Sequence, residues 1–193
     1  MTRTSIERAF FGAALVLFAA LAPSGAMAAA QNDNTYTQDE IVREASEFFA
    51  VGAEAVAMAV EHVFARYGRP NAFIVGNEYS GAIGIGGRYG DGMLNRKNGG
   101  SVKVFWQGPS LGFDIGGNVS QTFTLIYNLP NNDAIFQRFP GVEGSYYFIA
   151  GIGVNYQQAG DIILAPMRTG VGLRVGANVG YLSYTRERNI LPF

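Results

Sequence analysis

SGAIGIGGRYGDG, residues Ser80 to Gly92, reads in two incompatible ways. As a phosphate loop, its glycines would free consecutive backbone N–H groups to face an anion at a helix N-terminus. As a strand, glycines on one face would let something press close to the backbone. The pattern favours the strand. Ile83 and Ile85 alternate with Ala82, Gly84 and Gly86, and Tyr89 stands where a G-x-G-x-x-G run counted from Gly84 needs its third glycine. No P-loop lysine follows, and no helical pattern opens after Gly92. The stretch predicts a glycine-faced strand running into a Gly90-Asp91-Gly92 turn. Repeated glycine on one face implies tight bends, or a backbone or helix lying very close, as in a narrow barrel wrapped around or packed on a helix.

The same period of two extends through the chain from Ala72 onward. SLGFDIGGN places Leu111, Phe113 and Ile115 opposite Gly112, Asp114 and Gly116, and GVGLRVGANVGY places Val171, Leu173 and Val175 opposite Gly172, Arg174 and Gly176. YYFIAGIGVNY alternates in the same way, with Phe148, Ala150, Ile152 and Val154 against Gly151 and Gly153. Turn signals at GDG, NRKNGG, QGP, LPNND, FPG and QQAGD cut the region into about eight or nine short strands, and NNDAIFQRF has room for one helical turn. This predicts a mainly β fold: a small antiparallel barrel of about eight strands.

Ahead of the strands the period is helical. TQDE at Thr37–Glu40 is a capping box, in which the Thr37 hydroxyl and Glu40 carboxylate satisfy each other's backbone N–H groups. Val42, Ala45, Phe49, Val56, Val60, Val63 and Tyr67 then form an apolar stripe. Gly52 is a candidate break, and Gly68-Arg69-Pro70 a stop. An N-terminal amphipathic helix therefore packs on the barrel.

The chain has 193 residues, which suits one domain with a core. Hydrophobic residues make up 48% and charged residues 15%, with 26 glycines, 10 tyrosines and 14 phenylalanines, a balance that favours strands and turns. A net charge of -1 offers no basic field for nucleic acid. The first residues read as a secretory signal: Arg3 and Arg8 precede the apolar run AFFGAALVLFAALA, and Ala26 and Ala28 are small residues that a signal peptidase accepts. The expected organisation is a cleaved signal peptide at 1–28, a flexible mature N-terminus at 29–36 and one helix-plus-barrel domain at 37–193. An uncleaved anchor is the weaker alternative. The absence of cysteine excludes a disulfide scaffold, a thiol catalyst and a Cys-ligated metal site. The expected compartment is the periplasm.

Candidate chemistry is sparse. His62 is the sole histidine, no G-x-S-x-G elbow accompanies it, and a metal site would need more ligands than the helix offers, so no cofactor is expected. Asp114 and Arg174 sit mid-strand on glycine-alternating segments, where they either face solvent or point inward, to pair or to meet a ligand's carboxylate or phosphate. Trp106, the only tryptophan, stands before a Gly-Pro pair, where it either plugs a barrel end or walls a pocket. Trp106, Asp114 and Arg174 are the candidate ligand-binding residues. Glu78 and Asp91 could form a carboxylate pair for glycoside chemistry, although nothing in the sequence fixes their separation. Arg96, Lys97 and Lys103 near a hairpin tip, with Arg186 and Arg188, form a small basic set that either faces solvent or touches anionic lipid or lipopolysaccharide.

With those residues in view, the chain from about Tyr36 to Phe193 resembles the alphaproteobacterial envelope integrity protein A family. The resemblance is carried by TYTQDEIVREASEFF, GRPNAFIVGNEYSGAIGIGGRYGDG, VFWQGPSLGFDIGGN, TLIYNLPN, FQRFPGVEGS, AGIGVNY and GDIILAPMRTGVGLRVGANVGYLSYTRE. It implies a soluble periplasmic protein with a roughly eight-stranded barrel and an associated helix, contributing to envelope integrity and stress resistance, and it implies no catalytic residue. A more distant similarity to lipid-binding SYLF domains lies in a helix followed by GGRYGDGML, WQGPSLGFDIGG and glycine-alternating strands. The expected function is noncatalytic support of the envelope through binding of lipid, lipopolysaccharide or another envelope component, with peripheral membrane contact. Two alternatives stand beside it: an enzyme acting on envelope lipid or glycan with Asp114 as acid or base, and a small integral outer-membrane barrel, against which Pro192 and the charged RERN segment weigh.

Overall fold

The computed structural model describes residues 33–83, 85–111, 117–169 and 180–189. Thr37 starts helix α1 (Gln38–Phe49) through the reciprocal box: Glu40 N–H donates to the Thr37 hydroxyl at 3.2 Å, and Thr37 N–H donates to Glu40 Oε2 at 2.8 Å. Ala50, at φ 51°, turns the chain, and Gly52 caps a second helix, α2 (Ala53–Tyr67). The amphipathic segment is thus two helices rather than one. Gly68, at φ 72°, ends α2 with its N–H donating to the Phe64 carbonyl. The lead-in expected to be loose is tied down at Asp33–Tyr36: Tyr36 N–H donates to the Pro70 carbonyl at 2.8 Å, and Arg69 reaches the carbonyls of Thr35 and Tyr36.

Ten strands follow among the described residues. Four long ones form a meander, β1 (Ala72–Ile83), β2 (Ile85–Arg96), β3 (Gly100–Leu111) and β4 (Gly117–Tyr127). After a 3-10 turn at Asn132–Ile135 come β5 (Arg138–Pro140), β6 (Tyr147–Ile149), β7 (Ile152–Val154), β8 (Gln157–Ala159), β9 (Ile162–Thr169) and β10 (Tyr181–Thr185). They pair antiparallel in the order β5-β10-β3-β2-β1-β4-β9-β7-β6, with β8 also on β9. An isolated bridge between Gly141 and Gln157 links the β5 side of this path to the β8 side, so the sheet curls into a barrel.

Two expected turns are not turns. Gly90-Asp91-Gly92 and Gln107-Gly108-Pro109 lie inside β2 and β3, which run through them as long strands. Their glycines serve close approach. Gly76 and Gly92 are direct cross-strand partners, and a Cβ on either would lie 2.2 Å from a carbonyl oxygen of the opposite strand. Conversely, YYFIAGIGVNY is two strands, not one: Ala150 (φ 48°) and Gly151 (φ 90°) form a two-residue hairpin turn pairing Ile149 with Ile152.

Strands β1, β4 and β9 are apolar on both faces, so the molecule has two cores. Inside the barrel, Ala72 and Ile74 meet Leu94, Val104, Trp106, Ile126, Phe139, Leu164, Leu182 and Tyr184. Outside it, Phe73, Phe123, Leu125 and Met167 pack under Ile41, Ala45 and Phe49 of α1 and Val56, Val60 and Val63 of α2. The rings of Phe73 and Phe123 stack at 5.0 Å in this layer. The helices therefore lie on the barrel's outer face. The signal at 1–28 and the candidates Asp114 and Arg174 lie outside the described residues.

Candidate functional site

A row of cross-strand partners runs through the barrel: Tyr184 of β10, Trp106 of β3, Gly90 of β2, Glu78 of β1 and Ser120 of β4. Gly90 leaves room for the Trp106 indole to lie across β2, since a Cβ there would sit 2.1 Å from the ring. The indole N–H then donates to Glu78 Oε2 at 3.0 Å. Arg168 of β9 approaches the same carboxylate, its Nε 2.9 Å from Oε1 and its Nη2 3.3 Å from Oε2, and its Nη1 donates to Asn155. Arg88 Nε stands 3.3 Å from Glu78 Oε1. Burial alone would raise the Glu78 carboxyl, but Arg168, Arg88 and the indole together hold it below the ordinary carboxylate value. It is ionised and surrounded by donors, which suits a clamp and not a proton shuttle near neutral pH.

The opposite face of the same strands carries a groove of about 320 Å³. Tyr79 and Tyr89 are cross-strand partners, Tyr89 pairs onward with Gln107, and Asp91 pairs with Phe105. With Arg188 and Asn189 after β10, these residues line it, and the β-strand segment at Gly90 and Trp106 backs it. Asp91 lies 3.7 Å from Lys103 Nζ and 3.6 Å from Arg188 Nη2, both looser than a close ion pair. Lys103 and Arg188 also sit over the Phe105 ring, at 5.2 and 5.9 Å.

Of the sequence candidates, Trp106 thus serves both as barrel filling and as backing for a pocket. Glu78 and Asp91 cannot act on one bond, because Glu78 is opposite Gly90 in register and the next β2 residue, Asp91, points to the other face. The basic set is dispersed over acceptors: Arg96 to the Pro130 carbonyl, Lys97 to Glu40, Lys103 and Arg188 to Asp91, and Arg186 to Asp133. His62 lies against the Tyr147 ring at 4.6 Å. Among the described residues no three His, Cys, Asp or Glu side chains gather to hold a metal, and no helix is long and apolar enough to cross a membrane. Sequence reading missed Arg168 as the partner of Glu78, and it missed the tyrosine pair. The alternation of Gly76 and Glu78 against Asn77 and Tyr79 was the available signal.

The fold and the site define an antiparallel barrel with a helical pair on its outer wall, a sequestered carboxylate inside and an aromatic groove outside. Residues 34–193 match the family described as envelope integrity protein A, and the chain belongs to that family. The chain is also similar to a solved beta-barrel-like protein from Brucella abortus, at 46% identity and a TM-score of 0.75, over 83% of this chain and 99% of that one. Comparison with curated proteins finds no match.

Proposed function

We propose that this chain is a noncatalytic periplasmic protein, exported by a cleaved signal, that supports envelope integrity and stress resistance by binding a lipid, a lipopolysaccharide or another envelope component. Membership of the envelope integrity family supports the setting. The groove beside Trp106 carries the binding part: it combines aromatic walls with a few polar groups, the composition of ligand sites. The saturation of Glu78 by Arg168, Arg88 and Trp106 supports binding over acid–base catalysis. The engagement of the basic side chains supports capture of a component in a groove over docking through a charged patch.

The test is release by osmotic shock without detergent, native mass spectrometry, and denaturing analysis of any retained small molecule. A soluble protein carrying a reproducible mass of a lipid, a glycolipid or another envelope component such as a glycan is the expected result. Failure to release without detergent overturns the periplasmic reading in favour of a membrane barrel.

A further inference from the structure

The helical pair covers only part of the barrel wall. Its α1 end is marked where Gln121 Nε2 donates to the Phe48 carbonyl, and Gln121 is the cross-strand partner of Asn77. Beyond that row no helix among the described residues covers the outer face of β1 to β3. Solvated faces of antiparallel sheets ordinarily carry polar side chains. Here the next row is Val119, Tyr79, Tyr89 and Gln107, with Tyr79 48% and Val119 58% exposed, Tyr89 half-buried and Gln107 buried beneath them. Exposed Tyr79 and Val119 beside a half-buried tyrosine suit a binding surface.

We propose that this groove binds a neutral oligosaccharide, a reading that rests on the binding function above and names its ligand class. The chemistry of the lining discriminates. An acyl chain would strip water from the Asp91 carboxylate without replacing its hydrogen bonds. A phosphate would be repelled by the same carboxylate, and the nearby cations Lys103 and Arg188 already face it. A sugar ring has an apolar C–H face for the tyrosine and Phe105 rings, and hydroxyls that both donate and accept. Those hydroxyls match a mixed fringe: Asp91 accepts, Arg188 donates, and Asn189 does both. Asp91 and Arg188 cancel in charge, so nothing in the lining selects an ionic ligand. Tyr79 and Phe105 stand on strands two apart, about 10 Å, which suits an extended chain over a single small molecule.

The test titrates isotope-labelled protein with two neutral probes, chitotetraose, which carries the amino-sugar backbone of an envelope glycan without its carboxylates, and a dextran oligomer, with phosphatidylglycerol vesicles as the comparison. Amide shifts confined to residues 77–79, 89–91 and 105–107 are expected with at least one sugar probe. Tyr79→Ala should weaken that binding about tenfold without changing the melting temperature, and Tyr79→Phe should retain it. Absence of shifts with both sugar probes, or binding indifferent to Tyr79→Ala and Asp91→Ala, overturns the proposal. A lipid retained after osmotic shock, or vesicle binding that survives Tyr79→Ala, overturns the sugar assignment while leaving the binding function standing. An empty protein silent to all three probes overturns both.

Discussion

Trp106 donates its indole N–H to Glu78 across an intervening strand, and Gly90 is the residue that lets it pass. The hydrogen bond, at 3.0 Å, therefore depends on the absence of a side chain as much as on the presence of two.

Gly90→Ala should destabilise the protein by about 1–3 kcal/mol, the usual cost of overpacking. Urea unfolding followed by the fluorescence of the single tryptophan measures it directly. A neutral result would mean that the indole does not lie over β2.

Glu78→Gln should cost more, about 3–5 kcal/mol, because two guanidiniums are left facing a neutral amide in a buried site. Trp106→Phe removes one hydrogen bond to a charged group and should cost less. The combined change Glu78→Leu with Arg168→Met should recover part of the loss, as replacement of a whole buried pair often does. If the single Glu78 variant melts like the parent, the cluster contributes nothing to stability.

The division between what the chain reveals and what it conceals follows the range of the interactions. The capping box of Thr37 and Glu40 spans three residues, so it is visible in TQDE. The glycine alternation of β1 and β2 is visible too, and it correctly predicts close backbone approach. Its meaning at Gly90-Asp91-Gly92 is not, because a glycine that turns the chain and one that makes room for an indole look alike in sequence. Arg168 lies 90 residues from Glu78 and reaches it past β4, which stands between β1 and β9. Such a partner is chosen by strand order, which local patterns do not encode. The helical stripe was nearly right in α1, where Ile41 is fully buried and Val42 only partly.

Acid should loosen the helical pair through Glu40. Its carboxyl is held down to about 2, first by the hydrogen bond from Lys97 and then by the Thr37 N–H. A depressed carboxyl contributes stability that is present above its unfolded value near 4.5 and is lost as pH falls toward 2. Glu40→Gln should flatten that part of the pH dependence of the melting temperature and leave the neutral region less stable. An unchanged acid limb would show that the contact with Lys97 does not persist in solution.

Tyr127 offers the reverse case. Its hydroxyl is buried without a hydrogen-bond partner among the described residues, and burial pushes its pKa up. Tyr127→Phe should be neutral or stabilising by up to about 1 kcal/mol, since it removes a desolvated polar group. A loss of stability instead would reveal a bound water serving that hydroxyl.

The position of β10 has a consequence for the order in which the chain can fold. It is the last described strand in chain order, yet it lies between β3 and β5 rather than at an end of the path. A chain that emerges N-terminus first, from a ribosome or a translocation channel, presents the β1–β4 meander before the segment that covers the margin of β3. Until Tyr181–Thr185 follow, that margin offers unpaired amides and carbonyls along a strand bearing Val104, Phe105 and Trp106, a template for sticking to other chains. The interval before β10 docks is thus the stage at which a holding chaperone would be of most use.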